Sequence, residues 1–193
     1  MFKLFDVNRD VLKSQLRNSC SPGGVCAATS IDFCYNELHG YHKALVPYEY
    51  TNYYSEGIRF LQRHKIYMDA LRHRKIHHWQ SLRPEDGFIP RISRVTSNWD
   101  KLLNLKPGVY MINMDLLSGT GHAIVIFKRE FWLCFNPSFG AWVFDKGIKE
   151  LVRFLKAVFP VKKVCVIAMT KNERLPAKPN PISTFRYGPL SPS

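Results

Sequence analysis

The feature of this sequence that most constrains its fold is a series of short apolar runs in the second half of the chain. The runs read GVYMINMDL, HAIVIFK, FWLCFNP and AWVFD, and VKKVCVIAM follows after a longer interval. They are rich in β-branched and aromatic residues and are separated by turn-forming or charged residues, which is typical of β-strands. The sequence therefore predicts an antiparallel sheet in this half of the chain.

Helical patterns occupy much of the remaining sequence. Apolar residues recur at spacings of three and four from Cys26 to about His39, and a helical pattern returns over residues 50–82 before RPEDGFIPR, which predicts a loop. DKGIKELVRFLKAVFP predicts a further helix that is capped by Asp145 and ended by Pro160. We therefore expect an α+β fold in which a helical N-terminal half packs on a four- to five-stranded antiparallel sheet.

At 193 residues the chain is long enough for one domain with its own hydrophobic core. We predict that this domain covers residues 1–171 and that the proline-rich segment 172–193 is a loosely ordered tail. The five cysteines are an odd number without a repeating framework, so we expect reduced thiols and no disulfide scaffold. Asp6, Arg9 and Asp10 interrupt the N-terminus where a signal peptide is apolar, and no window has the length of a transmembrane helix.

The chain is strongly basic, with 28 basic and 15 acidic residues and a net charge of +13. The densest cluster, RHKIYMDALRHRKIHH at residues 63–78, lies in a predicted helix. A solvated basic surface is the simpler interpretation, and attraction to nucleic acid, an acidic protein or an anionic membrane is the sharper one. His73 and His77 are four residues apart in this cluster, but no third ligand of matching spacing accompanies them. We interpret them as a surface pair and expect no metal or other cofactor.

Two polar residues lie at the open end of the hairpin predicted from HAIVIFK and WLCFN. With a tight turn near Arg129, His122 and Asn136 share one face and lie almost opposite each other. The amide oxygen of Asn136 can accept a hydrogen bond from one imidazole nitrogen, which fixes the tautomer and leaves the other nitrogen facing a third group. A thiol at that point completes the nucleophile, base and orienting residue of a cysteine hydrolase.

Cys26 is the cysteine best placed to supply this thiol. It follows Gly23 and Gly24 at the start of a predicted helix, where the helix N-terminus and a nearby imidazolium stabilise a thiolate. Free backbone amides there can hold a developing oxyanion, and the glycines allow close approach of a substrate backbone. Cys20 is the fallback nucleophile, because it is the other cysteine on a predicted loop. The remaining cysteines are interpreted as structural: Cys34, Cys134 and Cys165.

Two segments resemble a known class of enzyme. GGVCAATSIDF resembles the nucleophile segment of papain-like cysteine peptidases of clan CA, and GHAIVIF with WLCFNPSFGAW resembles the YopT/AvrPphB-type bacterial effector peptidases. The resemblance implies a papain-like fold and a cysteine protease with Cys26 as nucleophile, His122 as base and Asn136 as orienting residue. It also implies a monomeric bacterial effector that type III secretion delivers into the host cytoplasm, where it cuts a host protein.

The sequence departs from the family pattern at two points. The effector branch has aspartate at the position of Asn136, whereas papain itself uses asparagine. Papain-like enzymes also take an oxyanion donor from a side chain just upstream of the nucleophile, and Cys20 stands at that spacing here. Gln15, Asn18 and Ser19 are the candidate donors, and we predict Gln15 on residue type alone.

Alternative interpretations remain open at this stage. The same triad can catalyse deamidation, transglutamination or acyl transfer, because an acyl-enzyme can react with other acceptors. A non-catalytic basic module would instead bind an anionic membrane or, less favoured, nucleic acid, and its cysteine would keep the pKa of about 8.5 of a free thiol. Taken singly, Cys26 fits a buried small residue, His122 a core histidine and Asn136 a turn residue. Asp145 is a rival orienting residue.

Overall fold

A seven-stranded sheet is the centre of the computed structural model, which describes residues 1–6, 26–39 and 88–173. In chain order the elements are β1 (Phe2–Asp6), α1 (Cys26–His39), β2 (Phe88–Thr96), a 3₁₀ helix (Trp99–Asn104), β3 (Val109–Leu116), β4 (Gly121–Lys128), β5 (Trp132–Asn136), β6 (Gly140–Phe144), α2 (Ile148–Val158) and β7 (Val161–Lys171).

All neighbouring strands of the sheet are antiparallel, in the order β1-β6-β5-β4-β3-β7-β2. The five strands predicted from the apolar runs form the central part of this sheet. The prediction of four to five strands is too low, because β1 and β2 add an edge strand on each side. β2 lies partly within the predicted loop, since its Pro90 and the register shift between Ile92 and Arg94 are features that edge strands tolerate.

The prediction of a helical N-terminal half is not supported. In the described parts of that half, α1 is the one helix, and the strands β1 and β2 lie before and after it. The predicted helices at residues 50–82, including the basic cluster at 63–78, fall outside the described residues. The described residues form a mixed fold with a large antiparallel sheet and few helices.

The sheet is covered by helices on both faces. Because side chains alternate along a strand, successive residues of β4 enter two different hydrophobic layers. We call the layer against α1 the α1 face; its strand residues are Met111, Ala123, Val125, Phe127, Leu133, Phe135, Ala141, Val143, Ile167 and Met169. We call the layer against α2 and the 3₁₀ helix the α2 face; its strand residues include Tyr110, Ile112, Met114, Ile124, Ile126, Trp132, Cys134, Phe144, Val164 and Val166.

Two contacts fix α1 along the β4–β5 hairpin. The ring of Phe33 stacks on Phe135 with centroids 4.1 Å apart and is tilted against Phe127 at 5.5 Å. Near the C-terminal end of α1, Glu37 accepts two hydrogen bonds, of 2.7 and 2.6 Å, from the guanidinium of Arg129 in the hairpin turn. The helix therefore runs along the hairpin, and its first residue lies at the hairpin's open end.

The cap predicted for α2 is wrong. The N-cap residue is Gly147, which has a positive φ of 85° and no side chain to donate or accept. Asp145 is exposed and instead accepts a 2.7 Å hydrogen bond from the Met1 ammonium. Pro160 follows α2 as expected, and Phe159 is its C-cap residue. No helix among the described residues is long and apolar enough to cross a membrane.

Candidate active site

His122 and Asn136 are joined by a hydrogen bond at the open end of the β4–β5 hairpin. His122 Nε2 lies 3.1 Å from Asn136 Oδ1. The register pairs Val125 with Phe135, so Asn136 is in line with Ile124 and two residues from His122 along the strand. The hairpin therefore brings the two polar side chains together on the α2 face. They form a diagonal pair, offset by two residues from the directly opposed arrangement expected from the sequence.

The same amide oxygen accepts a second hydrogen bond, which assigns the imidazole tautomer. The backbone N–H of Ser138 donates to Asn136 Oδ1 at 2.9 Å. An atom that accepts from a backbone N–H is the oxygen of the carboxamide, so Nε2 of His122 must be the donor in its own bond to that atom. Nδ1 of the neutral ring therefore carries the free lone pair and is the basic nitrogen.

The surroundings of His122 are largely apolar. Asn136 is only 1% exposed, and Phe159 packs against the imidazole with ring centroids 5.7 Å apart and an interplanar angle of 30°. Burial lowers the pKa of His122 below its ordinary value, and the hydrogen bond to Asn136 offsets part of that decrease. The ring is therefore neutral at neutral pH and is available to accept a proton.

The thiol of Cys26 lies against the backbone of β4. Cys26 is the first residue of α1, and the N–H of Ala123 forms a hydrogen bond to its sulfur. Ala123 directly follows His122, and consecutive Cα atoms are about 3.8 Å apart. The ladder between β4 and β5 begins only at Val125 and Phe135, so Ala123 has no β5 partner in the register. The thiol of the nucleophile candidate thus lies against the strand residue that directly follows the base candidate.

The expected depression of the thiol pKa is not found. Burial raises the pKa of Cys26 above its ordinary value, and the N–H groups of Ala123, Ala27 and Cys26 itself oppose that rise without cancelling it. Sequence reasoning counted the helix N-terminus but not the desolvation of a sulfur packed against the α1 face. The resting pair is therefore a thiol and a neutral imidazole.

The other candidates named from the sequence are placed differently or not described. Cys34 and Cys134 are fully buried, and Cys165 is partly buried on β7. Asp145 pairs with the Met1 ammonium, and the acceptor of the hydrogen bond from His122 is Asn136. Within residues 1–6, 26–39 and 88–173, no three His, Cys, Asp or Glu side chains form a group that could hold a metal ion. Six candidates lie outside these residues: Gln15, Asn18, Ser19, Cys20, His73 and His77.

Sequence reasoning missed two supporting groups. The first is the N–H of Ser138, and the Asn-Pro-Ser segment carried a signal for it, because asparagine side chains commonly bond the backbone two residues ahead. The second is the ring of Phe159, which follows α2 and is distant in sequence from His122. No local sequence pattern indicated the contact between Phe159 and His122.

The fold combines helices with an antiparallel sheet. The sheet carries His122 and Asn136, and a helix packed on it begins with Cys26. Among solved structures, the chain is similar to the crystal structure of the Pseudomonas avirulence protein AvrPphB, with a TM-score of 0.51 and 17% sequence identity over 77% of this chain and 93% of that chain. At this identity the likeness concerns the fold, and it supports the fold that the sequence resemblance implied. No protein-family model and no curated protein matches the sequence.

Proposed function

We propose that the protein is a cysteine peptidase in which Cys26 is the nucleophile, His122 the base and Asn136 the residue that orients the imidazole. The observation that carries this proposal is the hydrogen bond of 3.1 Å from His122 Nε2 to an amide oxygen whose identity Ser138 fixes. It leaves Nδ1 of His122 unprotonated, and the next residue along β4, Ala123, contacts the Cys26 thiol.

The reaction begins from the neutral pair. Nδ1 of His122 takes the thiol proton as the sulfur of Cys26 forms a bond to the carbonyl carbon of the scissile peptide. The imidazolium is stabilised by its bond to Asn136, and the oxyanion is held by backbone N–H groups at the start of α1. We propose the side chain of Gln15 as a further oxyanion donor.

Collapse of this intermediate breaks the C–N bond. The imidazolium returns its proton to the leaving amine, which gives a thioester between the acyl part of the substrate and Cys26. His122 then removes a proton from water, the hydroxide adds to the thioester, and the thiolate that departs takes the proton back. No electrons are exchanged with a cofactor in this sequence of steps.

The substrate we propose is a host protein in the cytoplasm of a cell that receives this chain as a secreted bacterial effector. The motif resemblance to effector peptidases supports this, as does the fold likeness to an avirulence protein of Pseudomonas. Type III secretion is the route that this resemblance implies. An anionic membrane surface is a further candidate partner, which the net charge of +13 favours.

The test compares host-cell extracts treated with the wild-type chain, Cys26→Ala, His122→Ala and the matched control Cys165→Ala. Mass spectrometry of new protein N-termini should show cut sites with the wild type and the Cys165 variant and none with the other two. An uncut target that gains about one mass unit would assign deamidation by the same triad. Cut sites that persist with Cys26→Ala would contradict the proposal.

The thiol pKa alone does not distinguish the peptidase from the non-catalytic basic module, so a second measurement is needed. Because burial raises the pKa of Cys26, an ordinary or high value fits both functions. The peptidase requires that alkylation of Cys26 by iodoacetamide depends on His122, whereas the module predicts no such dependence.

A further inference from the structure

Phe159 is the residue that covers the face of the candidate base. It is 4% exposed, and its ring lies 5.7 Å from the His122 ring at an interplanar angle of 30°. It lies between α2 and β7, so its sequence position is unrelated to both strands of the hairpin. At a centroid distance of 5.7 Å and a tilt of 30°, the Phe159 ring packs in an offset arrangement against the imidazole face, whereas Asn136 contacts only its edge.

The backbone of Phe159 is held on both sides. Its N–H donates to the carbonyl of Leu155 at 2.9 Å, and its own carbonyl accepts a buried hydrogen bond of 3.0 Å from Trp99 Nε1. Pro160, the next residue, accepts a 2.9 Å bond from the N–H of Leu117 in the turn that leads into β4. The position of the Phe159 ring is therefore set from α2, the 3₁₀ helix and the β3–β4 turn together.

A ring held at one nitrogen keeps a degree of freedom. The bond to Asn136 fixes the position of Nε2, but the imidazole can still rotate about the direction of that bond. Such a rotation moves Nδ1, the atom that must receive the thiol proton. A flat apolar surface against the ring removes this freedom and also excludes water from the His122–Asn136 bond.

We propose that Phe159 is a positioning residue for His122, and that Trp99 in turn holds Phe159 in place. Phe159 fixes the plane of the imidazole so that Nδ1 points toward the thiol of Cys26. This inference rests on the proposed function, because it assigns the purpose of the contact to the proton transfer between Cys26 and His122.

The pKa of His122 gives the test a specific readout. Burial is the main cause of the lowered pKa of His122, and the Phe159 ring supplies part of that burial. Among the described residues, the neutral amide of Asn136 contacts the ring, and the titratable thiol of Cys26 lies against the backbone of the next residue, Ala123. The nearest charged residues in the strand register, Asp115 and Lys163, are exposed and belong to the opposite face of the sheet.

Phe154 provides a matched control. It packs against the same α2 face, with ring centroids 5.2 Å from Trp142 and 5.3 Å from Phe144, and it belongs to the same helix that Phe159 terminates. Truncation of Phe154 removes a similar apolar volume without removing a contact made by His122. A role that is only structural would therefore give both truncations the same profile.

The experiment measures the rate of Cys26 alkylation by iodoacetamide across a pH series. Peptide mapping separates Cys26 from Cys165, which is the internal control. Phe159→Ala should slow the His122-dependent rate about 10-fold or more, since small misplacements of a catalytic group cost up to about 100-fold. It should also move the acid limb of the profile to higher pH, because a rehydrated imidazole regains a higher pKa.

Two further variants keep the test decisive if Phe159→Ala folds poorly. Phe159→Leu keeps apolar bulk but loses the planar surface, and Trp99→Phe keeps the aromatic ring but loses the bond to the Phe159 carbonyl. Both should give smaller changes in the same direction, whereas Phe154→Ala should leave the rate and the acid limb unchanged.

The two proposals fail in different ways. If His122→Ala alkylates at the wild-type rate, the proposed function is overturned and the positioning role with it. If the wild-type rate depends on His122 but folded Phe159 variants match the wild type within about twofold at every pH, only the positioning role is overturned. Equal changes in Phe159→Ala and Phe154→Ala also overturn it.

Discussion

The two faces of the sheet hold the two halves of the candidate site in different ways. On the α1 face, Phe33 and the Glu37–Arg129 pair fix the helix that begins with Cys26. On the α2 face, Asn136 and Phe159 hold His122. The thiol of Cys26 lies against the backbone of Ala123, the residue after His122, near the end of β4 where the ladder to β5 has not yet begun.

This difference teaches that the site is assembled from two separate packing layers that share one strand. The α1 face positions a whole helix, so a mutation there should move the candidate nucleophile Cys26 together with the backbone N–H groups at the start of α1. The α2 face positions a single ring, so damage there changes the direction and the pKa of the base while Cys26 stays in place. The two layers should therefore be separable by mutation.

The largest expected effect is on stability, from truncation of Phe33. This ring is fully buried, and Phe33→Ala should lower the free energy of unfolding by about 3–5 kcal/mol. It should also lower the reactivity of Cys26 in the folded protein, because the helix loses its main anchor. Denaturant unfolding and alkylation at low denaturant concentration measure the two effects. Phe144→Ala, from the α2 face, should destabilise comparably but spare Cys26, and equal loss of Cys26 reactivity would break the comparison.

The next effect is on the base, at Asn136. Asn136→Ala removes the acceptor that orients His122, and we expect a loss of about 10- to 100-fold in the His122-dependent rate. Because that hydrogen bond raises the pKa of His122, its loss should move the acid limb to lower pH. Asn136→Asp keeps the acceptor and adds a charge that favours the imidazolium, so it should move the limb to higher pH. Shifts in one common direction would contradict this assignment.

An intermediate effect is expected at the ion pair of the α1 face. Glu37 has a side chain only 7% exposed and Arg129 one that is 36% exposed, so the pair is only partly screened by water. Glu37→Gln should cost about 1–2 kcal/mol by weakening a two-bond contact. A double-mutant cycle with Arg129→Met isolates the coupling between the two side chains. A coupling near zero would show that Phe33 alone positions the helix.

The smallest effect is expected at the corresponding pair on the α2 side. Lys156 on α2 and Asp100 on the 3₁₀ helix are 2.6 Å apart, but both side chains are 47% exposed. Lys156→Met should therefore change the free energy of unfolding by less than about 1 kcal/mol, and less still in high salt. A larger loss, or a change in Cys26 alkylation, would show that this surface contact contributes to holding Trp99 and Phe159.

The pH dependence of stability has a defined sign at His122. Its pKa in the folded chain is lowered by burial, so the unfolded chain binds a proton first as the pH falls. The stability contributed by the neutral buried ring is present above the unfolded value of about 6.5 and is lost as the pH falls through that value toward the folded one.

The sequence predicted the central sheet because its strands are apolar on both sides and closely spaced. It failed for β2, whose Pro90 and arginines are compatible with a loop and with an edge strand alike. It also counted too few strands because β1 was not recognised as a strand, and its pairing with β6 across the sheet is not visible in the local sequence.

The alternation rule was enough to place His122 and Asn136 on one face, since one turn separates their strands. The register of that hairpin differs from the expected one by two residues, because Asn136 lies opposite Ile124, and side-chain length made up the difference. Two properties could not be predicted from the sequence, and for the same reason. The raised pKa of Cys26 and the contact of Phe159 both depend on what packs around a group from distant parts of the chain.

The raised pKa of Cys26 also affects how fast its sulfur is oxidised. It is the anionic form of sulfur that attacks peroxides and disulfides, and limited accessibility slows these reactions further. A half-buried thiol whose pKa is raised by desolvation should therefore be oxidised more slowly than an exposed thiol of ordinary pKa, so the burial that keeps Cys26 protonated also protects its sulfur.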